Sequence, residues 1–253
     1  MAKGGQHTEQ PISRLFLSPP FPTSPTDRQA AHWLTCLNQD ERNILANYQG
    51  KRHIEYLLSR ALLRHALTAT IAPEQPLDTW TIDYPADSPP ALTAVAAQGW
   101  HCSLAHSRKR VAVALSNRGA CGIDIECHRP RHNRPQLAQT YFTAGEQAFL
   151  EQLPETERET AFYRLWTLKE AWYKADGRRA FSSILGGLDF SKTSDQTALQ
   201  TPLQAWWQEL DGFSLAFAGN VPPTSLWQGW PDQEGKNAPG RFTGFQPVET
   251  GAQ

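Results

Sequence analysis

The chain has 253 residues, 40% apolar and 19% charged, with a formal net charge of −1. That is enough for one large domain or two small ones, and it excludes a global field that would attract nucleic acid or an anionic membrane. No stretch approaches the roughly 20 apolar residues of a membrane span, and Met1 to His7 lead into no apolar run, so a cytoplasmic protein is expected. The four cysteines (Cys36, Cys102, Cys121, Cys127) form no Cys-x-x-Cys pair and read as reduced thiols.

Residues 1–27 are rich in Pro and Ser and read as a loose arm. Asp40 is the expected N-cap of a first helix, and after Gly50 a longer one runs over 51–69. Ile54, Leu57, Leu58, Ala61 and Leu62 give that helix one apolar side, with Arg60 and Arg64 at its edge. Strands are expected over 80–84, 100–105, 110–116 and 121–126. Arg129, Arg131 and Arg134 lie in a basic loop, and Thr143 with Glu146 has capping-box spacing. A long helix over 156–176 ends at Gly177. Residues 188–190, a Trp206-Trp207 segment and a final strand over 213–217 follow, and 220–253 reads as a poorly ordered tail.

Chemistry is concentrated in two segments. On a strand, Asp124 and Glu126 project to one face roughly 7 Å apart, with Ile123 and Ile125 turned into a core. Two acids so placed repel, and a hard cation such as Mg²⁺ removes that cost; the plain alternative is an exposed acidic edge strand paired with arginines. On the long helix, Glu170 and Lys174 are neighbours one turn apart, bracketed by Trp166 and Trp172. An ordinary surface ion pair would stabilise that helix by only about 0.2–0.5 kcal/mol. Lys169 or Lys174 could instead offset phosphoryl charge or accept a proton if desolvated. His106 and Ser107 end a strand ahead of Arg108-Lys109-Arg110, either as a solvated turn or as donors to phosphate oxygens.

Gly122-Ile123-Asp124-Ile125-Glu126 followed by Trp166-Thr167-Leu168-Lys169-Glu170-Ala171 and Lys174 resembles the signature motifs of the 4′-phosphopantetheinyl transferases, of the stand-alone surfactin-synthetase-activating type. Cys102 to Ser107 is similar to a third motif of that family, with Ala105 where Ser is common, and Ser59 to Arg64 to a fourth. Ser88 to Leu92 stand where the family usually has Gly-Lys-Pro or Gly-Arg-Pro.

The resemblance implies an α+β fold of two similar halves related by a pseudo-twofold axis. Each would be a small antiparallel sheet packed with helices, over 28–116 and 117–219, with the active site in the cleft between them. It implies Mg²⁺-dependent transfer of phosphopantetheine from coenzyme A to a serine of an apo acyl or peptidyl carrier protein, releasing adenosine 3′,5′-bisphosphate. Asp124, Glu126 and Glu170 would hold Mg²⁺, and Lys174 would sit at the reacting phosphate as charge stabiliser or proton acceptor, Glu170 sharing the base role. His106, Ser107, Lys169 and Arg64 would contact coenzyme A, with Arg60 or Arg52 as alternatives beside Arg64 at the adenosine end. The carriers would serve fatty-acid or secondary-metabolite synthesis, or a primary route such as lysine synthesis. Being generally acidic, they could dock on Arg129, Arg131, Arg134 or residues 108–110. The enzyme would act as a monomer, with no nucleic-acid or membrane partner. The competing functions are a Mg²⁺-dependent pyrophosphate hydrolase on the same acids and a non-catalytic carrier-binding protein.

Overall fold

The computed structural model describes residues 10–21, 27–85, 90–94, 97–130, 133–177, 181–191, 203–230, 235–238, 242–245 and 247–249. In chain order the elements are β1 (Ser13–Leu17), α1 (Asp27–Thr35), α2 (Gln39–Leu45), α3 (Gly50–Thr70), β2 (Ile82–Asp83), β3 (Ala91–Leu92), β4 (His101–Ser107), β5 (Arg110–Ser116) and β6 (Gly122–Cys127). Then come α4 (Arg134–Tyr141), α5 (Ala144–Gln152), α6 (Glu155–Asp176), α7 (Phe181–Gly187), β7 (Leu188–Asp189), β8 (Gln204–Leu210), β9 (Phe213–Gly219), β10 (Ser225–Gln228), β11 (Lys236–Ala238), β12 (Thr243–Phe245) and β13 (Val248–Glu249).

Two sheets carry the fold, one ordered β11-β10-β1-β5-β4 and the other β12-β8-β9-β6. The long helix α3 packs on β5, and α6 packs on β6 and β9. Between the sheets lies a core of Leu15, Leu17, Ala112 and Ala114 from one side and Ile123, Ile125, Leu215 and Phe217 from the other. The neighbouring edges β4 and β6 are stapled by side chains. Ser103 Oγ accepts from the Ile123 amide and Ser107 Oγ from the Cys127 amide, each at 3.1 Å.

Several expectations need correction. Within the supposed loose arm, residues 13–17 form an inner strand, parallel to β10 and antiparallel to β5. Phe16 enters the core under α3 while Leu15 and Leu17 enter the core between the sheets, so both faces are buried and apolar area holds the strand. Residues 225–228, placed in a poorly ordered tail, join the same sheet, and Trp227 packs against His65 with ring centres 4.7 Å apart. That sheet is therefore mixed rather than antiparallel. Its strands come from both ends of the chain, so the boundaries at 28, 116 and 219 do not divide the packing units. The N-cap of α2 is Asn38, not Asp40, in a capping box with Glu41.

Other elements fall where the pattern put them. The Thr143–Glu146 capping box opens α5. Helix α6 ends at Gly177 in the left-handed conformation, φ +59°. Arg131 and His132 of the basic loop, and Ser88 and Pro89 of the Gly-Lys-Pro region, lie outside the described residues.

Candidate active site

Strand β6 brings Asp124 and Glu126 to the edge beside β4, and α6 crosses behind them. The helix comes this close because Gly122 has no side chain: a Cβ there would lie 1.9 Å from the Ala171 carbonyl oxygen and 2.7 Å from the Ala175 amide. Contact at that level sets the position of Lys174, whose Nζ donates to the Ile123 carbonyl at 3.1 Å and to Asp124 Oδ1 at 2.8 Å. Gly122→Ala must push strand and helix apart, and is expected to cost about 2–4 kcal/mol by chemical denaturation. A variant as stable as wild type would show that β6 and α6 do not need this contact.

The carboxylates are electrostatically strained. Asp124 is 8% exposed, and its Oδ2 is buried without a hydrogen-bond partner among the described residues. Burial pushes its pKa up to about 6, against the pull of Lys174 and with a further push from Glu126. Burial likewise raises Glu170 to about 7, and the charges of Asp124 and Glu126 add to the rise. Glu126 accepts from Ser107 Oγ at 2.9 Å. Three acids thus share one field, offset by a single ammonium in direct contact with Asp124. Among the described residues no three His, Cys, Asp or Glu side chains are already drawn to metal-ligand spacing. The chemistry of the set, oxygen donors in mutual repulsion with one buried oxygen uncommitted, nonetheless fits a hard divalent cation.

A cavity of 340 Å³ opens beside this cluster, with Lys174 in its wall together with Pro90, Leu92, Trp100, Cys102 and Cys121. Burial pushes the Cys102 thiol up to about 12, so it lines the cavity as an apolar, unreactive group. The larger groove, 560 Å³ between α4, α5 and α6, is rimmed by Arg134 and Arg158, each ion-paired to a glutamate, and contains none of the acids discussed here.

His106 stands on the rim with its side chain 56% exposed, 4.0 Å from Glu55. Arg60 is clamped between the rings of Tyr56 and Tyr84, its guanidinium carbon 4.0 Å from each ring centre. Two side chains expected to contact the coenzyme are instead buried in internal pairs. Arg64 is fully buried, paired with Glu41 at 2.8 Å and donating to the Trp80 carbonyl. Lys169 is also fully buried, 2.9 Å from Glu146, and it donates to the carbonyls of Leu185 and Leu188. A buried cation needs partners, and both have them inside the protein: three acceptors for Lys169, and Glu41 and Trp80 for the Arg64 terminal nitrogens, while Arg64 Nε has none among the described residues. Ser107, expected to bind phosphate, spends its hydroxyl on Glu126 and the Cys127 amide.

Sequence reasoning missed Gly122 as the close-approach residue and Glu55 as a carboxylate at the rim. The first had a signal in its place directly before two alternating acids, and the second none.

A family model of the 4′-phosphopantetheinyl transferase superfamily matches residues 120–218, the stretch from the turn before β6 to the end of β9. The 4′-phosphopantetheinyl transferase AcpT of Salmonella typhimurium is 34% identical over 176 residues, 70% of this chain and 81% of that protein. AcpT of Escherichia coli K12 is 32% identical over 176 residues, 70% and 80% of the two chains. The 4′-phosphopantetheinyl transferase HetI of a Nostoc species is 34% identical over 96 residues, 38% and 40% of the two chains. The matched region contains the acids, the lysine and the glycine that brings them together, and the chain belongs to the 4′-phosphopantetheinyl transferase superfamily, as an enzyme of that transferase class.

Proposed function

We propose that the protein transfers 4′-phosphopantetheine from coenzyme A to a serine hydroxyl of an apo acyl or peptidyl carrier protein, in a Mg²⁺-dependent reaction that yields adenosine 3′,5′-bisphosphate. The observation that carries the proposal is the half-buried Asp124–Lys174 pair, with the Glu170 carboxyl raised to a pKa of about 7 in the same field. Asp124, Glu126 and Glu170 would hold Mg²⁺, which when bound neutralises pyrophosphate charge. Glu170 is suited to take the proton of the carrier serine as its oxygen attacks phosphorus, because a base works best with a pKa near the operating pH. As the bond from that phosphorus to the bridging oxygen breaks, Lys174 offsets the charge of the departing adenosine 3′,5′-bisphosphate. Phosphoryl transfer asks the protein chiefly for such positioning and charge compensation.

His106 and Arg60 are the coenzyme contacts retained from the sequence. We also assign the stand-alone, surfactin-synthetase-activating subtype, acting as a cytoplasmic monomer, with two halves built on α3 and α6 and a cleft at the β4–β6 edge. Support comes from the two long helices of 21 and 22 residues, each laid on its own sheet. The test is intact-mass analysis of apo carrier incubated with coenzyme A, Mg²⁺ and the enzyme. Wild type should add one phosphopantetheine group, and Asp124→Ala and Lys174→Met should lower the rate by about 10²-fold or more with the fold retained. Near-normal modification by either variant, or release of phosphopantetheine to water without carrier, would overturn the assignment.

A further inference from the structure

Helix α3 brings a fourth carboxylate to the rim of the site. The Glu55 side chain is 14% exposed, with Oε1 3.0 Å from Lys51 Nζ and 4.0 Å from His106 Nδ1. Neither contact is an aligned hydrogen bond, so this buried oxygen keeps acceptor capacity. The charged groups facing His106 are Glu55 and Lys51 from α3, Lys174 from α6 and Glu126 from β6.

A carboxylate 4.0 Å from a ring nitrogen acts through its charge rather than through a hydrogen bond: it favours N–H at that nitrogen and leaves the other for a ligand. With Nδ1 on the Glu55 side, the nitrogen left over is Nε2, on the far edge of a ring that is more than half exposed. A neutral ring protonated only at Nδ1 would offer a phosphate the Nε2 lone pair, which repels it. The imidazolium donates from both nitrogens. Burial, and then Lys174 and Lys51, oppose that cation and hold the ring below the ordinary histidine value, so a carboxylate is needed to keep any of it at neutral pH.

We propose that Glu55 is a positioning residue for the donor substrate: it holds His106 with Nδ1 protonated and favours the imidazolium, so that Nε2–H is presented to a phosphate oxygen of coenzyme A. This role rests on the transferase function proposed above. It makes α3 an electrostatic participant in the site through a half-buried glutamate one turn beyond Lys51.

The test combines an NMR titration of the His106 ring in the full chain with calorimetric coenzyme A binding and steady-state kinetics, for wild type and Glu55→Gln. The substitution keeps the shape and removes the charge. The His106 midpoint should fall by about half a pH unit, the yield of an exposed pair. At neutral pH, coenzyme A binding should weaken and KM for coenzyme A rise by about threefold, with kcat little changed. Both effects should disappear when Glu55→Gln is made in a His106→Asn background. An unchanged His106 titration, or a binding defect that persists without the histidine, would overturn the role of Glu55. Absence of transfer by the wild-type protein would count against the transferase function instead, with titration and calorimetry still deciding the Glu55–His106 link.

Discussion

Lys169→Met is expected to destabilise the protein by about 3–5 kcal/mol, because it strands a buried glutamate. The three ammonium hydrogens of Lys169 match three acceptors: Glu146, the Leu185 carbonyl and the Leu188 carbonyl. Glu146 is committed in turn, with Oε2 also accepting from the Thr143 amide at 3.0 Å and Oε1 from the Phe190 amide at 2.9 Å. The glutamate that closes the cap of α5 therefore also binds α6 and ties down the chain leaving α7 and β7. Burial pushes the Glu146 carboxyl up and the Lys169 ammonium down, so each charge persists only through the other. Met fills most of the Lys volume, so the loss reports charge and hydrogen bonds rather than a cavity. Thermal unfolding should start about 10 °C lower. Adding Glu146→Gln should recover part of the loss, since the stranded charge is then gone. Below the melting range, KM for coenzyme A should stay within about twofold of wild type, as a sealed ammonium contacts no ligand. A large rise in KM with stability intact would return Lys169 to the coenzyme site.

Lys169 and Glu170 also show what the sequence could and could not reveal. The helix, its end at Gly177 and the alternation of Asp124 with Glu126 follow from local rules of spacing and capping, and all are present in the fold. Which of two adjacent charged residues faces the site depends on what packs around α6. With apolar residues on most of its circumference, no stripe separates an inner from an outer face. Arg64 did carry a readable signal. It lies at helical spacing from Leu57 and Ala61, on the apolar side of α3, where an arginine must find a buried partner such as Glu41. Strand β1 carried almost none, since five residues with both faces buried show no alternation and prolines stand close on either side, Pro11 and Pro19. Its register is fixed by strands from residues 110–116 and 225–228, which no local pattern could bring together.

Glu170→Gln should make the metal-free protein more stable at neutral pH while nearly abolishing transfer. The native carboxyl has a pKa of about 7, whereas in an unfolded chain it would be about 4.3. Between those values the folded state binds more protons than the unfolded state, so stability is full below about pH 4 and falls as pH rises towards 7. Asp124, with a native pKa of about 6, acts in the same sense. At pH 7.5 the ionised Glu170 therefore costs the fold, and a neutral amide of the same shape removes that cost. The expected gain is about 2–3 kcal/mol at pH 7.5, shrinking to about 1 kcal/mol at pH 5 and towards zero only below about pH 4, where the group is protonated in both states. Asp124→Asn is a less clean probe because it also takes the partner from Lys174. Over the same range kcat should fall by about 10²–10⁴-fold, the scale of a lost general base. Thermal denaturation of both proteins from pH 5 to 8 without divalent cation, beside transfer assays, measures the two effects. A variant no more stable than wild type at pH 7.5 would mean that Glu170 is not held against the charges of Asp124 and Glu126. Cation binding by the acids then predicts a specific asymmetry: Mg²⁺ should stabilise wild type more than Glu170→Gln, because the variant offers one carboxylate fewer and keeps only the Asp124–Glu126 repulsion for the cation to relieve.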